Sequence, residues 1–216
     1  MLKPILIAAA IAMLAGCMTE PPPDRAYPPE FAPTPPPRAA KAPAGTVAPA
    51  SSLHQAEIKP LGRGLLTAQA AGGYMDGQEK ELRADLRGTG ITVSRMGDSL
   101  VLNLRADTVF GGKTDEVSEQ GRRILDKISD SVRKFDSTQI VINGFTDTTG
   151  TEARNLKISQ ERADTVAKAF TEDGVDAHRV AAKGFGDEIL KIPTGPDVSE
   201  PRNRRLEIRI TPRVKT

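Results

Sequence analysis

The chain is poor in several things at once. It has one cysteine (Cys17), no tryptophan and 4% aromatic residues over 216 positions. A single thiol excludes any intramolecular disulfide. Few aromatic rings mean few stacking platforms for sugars or exposed bases, which leaves recognition to charge and hydrogen bonding. The two histidines, His54 and His178, are too few and too scattered for a common metal site. No G-x-S-x-G or Ser–Lys pattern is present, so no catalytic residues, metal or cofactor are expected. A net charge of +2 with 27% charged residues provides no strongly basic face for nucleic acid. Long hydrophobic runs are absent too. The apolar stretch Ile5–Ala15 covers eleven residues, short of the ~20 that span a bilayer.

That short run has the form of an export signal. Lys3 supplies the positive start, and the apolar core has the length of a signal peptide. It ends in Leu14-Ala15-Gly16-Cys17, which resembles a bacterial lipobox. The resemblance implies that residues 1–16 are removed and that Cys17 carries the lipid. An ordinary signal peptide with an incidental cysteine is the other reading. Acyl chains contribute ~0.8 kcal/mol per buried methylene, so several on one cysteine make a stable anchor. In enterobacterial-type lipoproteins an Asp after the cysteine favours the inner membrane. Met18 in that place leans toward the outer membrane, with the chain facing the periplasm.

Residues 17–52 form the anchor and a proline-rich linker, with eleven of the 17 prolines between Pro21 and Pro49. Proline cannot donate a ladder hydrogen bond and fixes φ, so the segment is expected to be extended and solvated. At ~3.1 Å per residue it could reach up to ~100 Å. A proline-rich ligand for a partner domain is the alternative, without a repeated spacing to recommend it.

Residues 53–98 are expected to form a helical and hairpin flank. His54–Gly73 is ambiguous, a short helix at best. A charged helix follows over Met75–Leu86 and stops at Gly88-Thr89-Gly90. Ile91–Arg95 and Ser99–Leu104 have strand character around a turn at Met96–Asp98. Within 99–216 the elements alternate. A helix over about Asp115–Phe135 carries Val117, Ile124, Leu125, Ile128 and Val132. A strand occupies Gln139–Asn143, and a helix over about Ala153–Glu172 buries Leu156, Ile158, Ala163, Val166, Ala169 and Phe170 in part before Gly174 ends it. Strands near Val180–Gly184 and Arg204–Thr211 complete a mixed α/β (α+β) layer with helices on one sheet face.

The chemistry gathers in three blocks: Gly144-Phe-Thr-Asp-Thr-Thr-Gly150, Asn155-Leu-Lys-Ile-Ser159-Gln-Glu-Arg162-Ala163, and Asn203-Arg204-Arg205-Leu-Glu-Ile208. They set one carboxylate, Asp147, and one guanidinium, Arg162, on either side of a strand-to-helix junction. Such a pair suits a small zwitterion, the carboxylate for its ammonium and the fork for its carboxylate. Taken singly, Asp147 could cap a helix and Arg162 could lie on a solvated face.

These blocks resemble the OmpA-like peptidoglycan-binding domain, with its G-(H/Y)-T-D-x-x-G, N-x-x-L-S-x-x-R-A and N-R-R-(V/L)-E-I patterns, over residues 99–216. The run from Gly73-Tyr-Met-Asp76 to Gly88-Thr-Gly-Ile-Thr-Val93 is similar to the segment before this domain in outer-membrane OmpA-like lipoproteins. The resemblance implies a βαβαβ domain in which Asp147 faces the ammonium and Arg162 the carboxylate of a diaminopimelate side chain in the peptidoglycan stem peptide. It further implies contacts from Thr146 and Thr148, a shaping role for Asn155, and Asn203 and Arg204 beside the pocket. Arg205 alternates to the opposite strand face and is expected to be structural. Two features depart from the pattern. Phe145 stands where His or Tyr is usual, and residues 186–202 lack the usual Pro-x-x-x-Asn rhythm. The expectation is a non-catalytic lipoprotein that tethers the outer membrane to peptidoglycan. The alternative is an envelope signalling or assembly protein that uses the domain to position a protein partner.

Overall fold

The computed structural model describes residues 64–111 and 116–215. Cys17, the proline-rich segment, His54 and the expected helix start at Asp115 lie outside the described residues. The elements run α1 (Ala68–Asp85), β1 (Thr92–Met96), β2 (Ser99–Arg105), α2 (Ala106–Phe110), α3 (Glu119–Lys134), β3 (Thr138–Phe145), α4 (Glu152–Glu172), β4 (Val180–Gly184) and β5 (Arg205–Pro212).

The five strands form one mixed sheet in the order β1-β2-β5-β3-β4. β1 and β2 pair as an antiparallel hairpin with Met96 opposite Ser99. The two-residue turn needs a positive φ, which Gly97 provides at 57°. β3 and β4 are parallel, joined through α4. The last strand, β5, inserts between β2 and β3 and runs antiparallel to both. Alternation divides the sheet by face. Leu100, Leu102, Leu104, Ile140, Ile142, Leu206, Ile208 and Ile210 share the buried cluster with Ile124, Leu125, Ile128 and Val132 of α3 and with Ala163, Val166 and Phe170 of α4.

Three helices differ from expectation. α3 differs in its start: Ser118 caps it by accepting from Gly121 N, so it begins at Glu119, and Val117, expected on its face, precedes it. α1 starts at Ala68, well before Met75, and runs through Gly72, Gly73 and Gly77. Thr67 caps it by accepting from Ala70 N, and Ala71, Met75, Gln78 and Leu82 form one buried stripe. Packing of that stripe outweighs the ~1 kcal/mol that each glycine subtracts from helix propensity. Met75, Leu82 and Leu86 enter the same core as the sheet, and so does Val93 of β1. Arg95 of β1 adds an ion pair to Asp76 and another to Glu79.

On α4 the expected burial of Leu156 is overturned: the residue is 45% exposed. The inward face is instead Asn155, Ser159, Ala163, Val166 and Phe170. The reason is how closely the helix lies on the sheet. A Cβ on Gly144 would meet Ser159 O at 2.2 Å, and one on Gly184 would meet Gln160 N at 2.4 Å. Contact that tight admits small and polar side chains at this end of the helix, not a leucine.

Candidate functional site

β3 ends at Phe145, and the chain then turns through residues 146–150 before Thr151 caps α4, its hydroxyl accepting from Arg154 N at 3.3 Å. The turn, the first turns of α4 and the residue just before β5 enclose a cleft of about 190 Å³ lined by Thr146, Asp147, Thr149, Gly150, Arg154, Asn155, Ile158, Arg162 and Arg204. On α4, positions 155, 158 and 162 lie on one stripe by helical spacing. The expected Asp147, Arg162, Thr146, Asn155 and Arg204 therefore meet in one cleft.

Asp147 is 3% exposed. Its Oδ1 accepts from Thr149 Oγ1 at 2.5 Å and from Thr149 N at 3.3 Å. Its Oδ2 accepts from Arg204 Nη1 at 2.7 Å. Burial alone would raise the pKa of this carboxyl. The hydrogen bonds from Thr149 and Arg204, with the charge of Arg204, hold it below the ordinary carboxylate range. Arg204 is pulled both ways as well. Burial disfavours its charge, but hydrogen bonds to Asp147 and Asp107 dominate and raise its pKa. Asn155 Nδ2 donates to Asp147 O at 3.2 Å, tying the turn to the helix behind it. The Thr146 side chain is nearly buried, and Oγ1 has no hydrogen-bond partner among the described residues.

The short helix α2 has no counterpart among the elements expected from sequence, and it organises both central guanidiniums. Asp107 Oδ2 accepts from Arg204 Nη2 at 3.1 Å, and the Phe110 ring lies 5.5 Å from Arg162 Cζ, within cation–π range. Five residues present no periodicity to read. The available signal is Gly111, whose φ of 66° closes the helix in a left-handed cap.

Thr148 and Asn203 act one layer out from the cleft lining. Thr148 Oγ1 donates to Gly195 O at 2.8 Å and accepts from Val198 N at 3.0 Å. Asn203 brackets Ile192, accepting from its N at 2.8 Å and donating to its O at 2.9 Å. Together they shape the irregular stretch 186–202, whose Asp197 has φ 56° and accepts from Gly150 N at 3.4 Å. Phe145 is in the interior, stacked on Phe185 with centroids 5.3 Å apart. Arg205 is structural: it is buried, its Cζ lies 3.8 Å from the Phe145 ring centroid, and Nε donates to Glu207 Oε1 at 2.8 Å. Arg154, Thr149 and Ile158, which no sequence pattern singles out as site residues, also line the cleft.

A model of the OmpA family matches residues 109–204. The chain is similar to "Probable lipoprotein YiaD" of Escherichia coli K12, 35% identical over 141 residues that cover 65% of this chain and 64% of that protein. It is similar to "Outer membrane protein A" of Bordetella avium, 34% identical over 115 residues, 53% of this chain and 58% of that protein. The chain thus spans less than two thirds of the length of these relatives. Among solved structures, the cell wall anchor of the T6SS from Pseudomonas aeruginosa superposes with a TM-score of 0.53 at 28% identity, covering 62% of this chain and 96% of that one. A MotB-like protein from Desulfovibrio vulgaris shares the fold, with a TM-score of 0.56 at 23% identity over 68% of this chain and 96% of that one.

Proposed function

Because residues 109–204 form an OmpA family domain, we propose that this protein is a non-catalytic, lipid-anchored clamp. Cys17 holds it to the periplasmic face of the outer membrane, and the cleft grips the diaminopimelate side chain of the peptidoglycan stem peptide. The observation that carries the reading is the meeting of Asp147, Arg162 and Arg204 in one cleft with a buried Thr146 hydroxyl that has no hydrogen-bond partner among the described residues. A carboxylate offers about four lone-pair sites. Thr149 and Arg204 take three of those on Asp147, and an ammonium would displace the long 3.5 Å contact from Ser199 Oγ at the fourth. Arg162 supplies the fork for the ligand carboxylate, and Thr146 a hydroxyl for a peptide group. Charge-assisted hydrogen bonds contribute ~1.5–3 kcal/mol each, so one cleft gives modest affinity. A polymer with many identical stem peptides supplies the rest by avidity. The likeness to a cell wall anchor and to proteins named as outer-membrane protein and lipoprotein supports the same reading.

The test is co-sedimentation of the full chain, in detergent, with purified peptidoglycan sacculi. Wild type is expected to pellet, while Asp147→Ala and Arg162→Ala remain in solution with native circular dichroism. A second reading, an envelope assembly protein that positions a partner, draws on a larger cleft of about 540 Å³ outside the matched residues. It is lined by Arg83, Arg87, Ile91, Thr92 and Val93 among others. Folded wild type that stays in the supernatant would favour it.

A further inference from the structure

The cleft holds more positive charge than one carboxylate requires. Three guanidiniums, from Arg154, Arg162 and Arg204, line it with the single carboxylate of Asp147. Two of the three are engaged by their surroundings. Arg204 forks between Asp147 and Asp107, and Arg162 lies against the Phe110 ring.

Arg154 is different. It is exposed, and among the described residues its guanidinium makes no ion pair and no hydrogen bond, only its backbone N–H being held by Thr151. Other cations of α4 are paired: Lys157 with Glu161 and Lys168 with Glu172. Arg154 also stands in the first turn of α4, where the helix dipole disfavours positive charge. A Cβ on Gly150 would lie 3.8 Å from Arg154 Cδ, so the stem of this arginine passes close to the turn that carries Asp147. A cation placed against the dipole, beside two further cations and without an ion pair among the described residues although Glu152 shares its turn, is arranged for an anion that arrives with the ligand.

Resting on the reading of the cleft as a stem-peptide site, we infer that Arg154 is a specificity-determining residue that takes a second carboxylate of the ligand. The cleft therefore selects peptides bearing two free carboxylates over those in which one is amidated. A guanidinium forks onto a carboxylate through two N–H donors. A primary amide offers it one acceptor oxygen and turns N–H donors toward a donor, so the mismatch rejects as well as failing to attract.

The test is calorimetric titration of the full chain in detergent with a synthetic stem tripeptide ending in diaminopimelate, and with each of its two monoamides at that residue. Wild type is expected to bind both monoamides more weakly than the diacid, the one amidated at the carboxylate that faces Arg154 by about two- to fivefold, the range of an exposed ion pair. Arg154→Gln keeps the backbone cap on Thr151, removes that difference and leaves the penalty on the other monoamide in place. Arg154→Lys restores part of it. Equal wild-type affinity for all three peptides overturns the inference, as does full discrimination by Arg154→Gln. Binding of none of the three overturns the stem-peptide reading itself, and this inference with it.

Discussion

Arg204 Nη1 lies 2.7 Å from Asp147 Oδ2, and the other arm of the same guanidinium lies 3.1 Å from Asp107 Oδ2. One side chain from the residue just before β5 thus joins the turn after β3 to helix α2. The two Nη atoms of the fork reach the two carboxylates separately, whereas an ammonium would have to serve both from one nitrogen. Arg204→Met is expected to destabilise the fold by ~2 kcal/mol, because it leaves the buried Asp147 carboxylate with Thr149 as its principal donor. Arg204→Lys should fall between the two. Urea denaturation of the three proteins checks the order, and a lysine variant as stable as wild type would show that the second arm contributes nothing.

Acid should act on the same contact. The folded pKa of Asp147 is depressed, so its contribution to stability is complete above the ordinary carboxylate value of about 3.9 and is lost as pH falls through the lower folded value. The unfolding free energy of wild type should therefore exceed that of Asp147→Asn by a constant amount near neutrality, and the gap should close only in strong acid. A gap that widens as pH falls would mean that burial, not Thr149 and Arg204, sets the state of this carboxyl.

The glycines of the chain are expected to divide sharply. Gly144→Ala would place a Cβ 2.2 Å from Ser159 O, a backbone atom that cannot move without shifting α4 from the sheet. A loss of ~3 kcal/mol is expected, at the upper end of ordinary overpacking. Gly72 lies inside α1, and an added methyl there would meet nothing within 4 Å. Gly72→Ala should therefore stabilise by ~0.5–1 kcal/mol. Thermal unfolding of both variants separates close contact from chain entropy.

The pairing of Asp147 and Arg162 in one cleft is legible through the resemblance of the three sequence blocks, while the strand, the turn and the helix that carry them each leave a local signal of their own. What is not legible comes from side chains that act across long sequence separations. Asp107 and Phe110 reach the cleft from a helix of five residues, too short for periodicity. Arg154 resembles any solvated first-turn residue until Gly150 and the cleft are seen beside it. The insertion of β5 between β2 and β3 is a long-range pairing that the order of the elements does not specify. The α4 stripe misleads for a related reason. Leu156 is apolar, but the close approach of Gly144 and Gly184 gives the inward position to Ser159.

Thr148 links the irregular stretch to the site. Its hydroxyl holds both Gly195 O and Val198 N, and Ser199 just beyond accepts from Arg204 Nη1 at 3.1 Å. Thr148→Val keeps the shape of the side chain and removes both hydroxyl bonds, which leaves a carbonyl and an amide to solvent at a half-exposed position. A modest loss of ~1 kcal/mol in global stability is expected. The larger effect should be local, because Ser199 accepts from Arg204, which lines the cleft beside Asp147. Amide hydrogen exchange at Val198 should accelerate while the β3 and β5 amides keep their protection. Sacculus binding should weaken in parallel with that exchange. If binding falls while Val198 stays protected, Thr148 acts on the ligand directly and not through the loop.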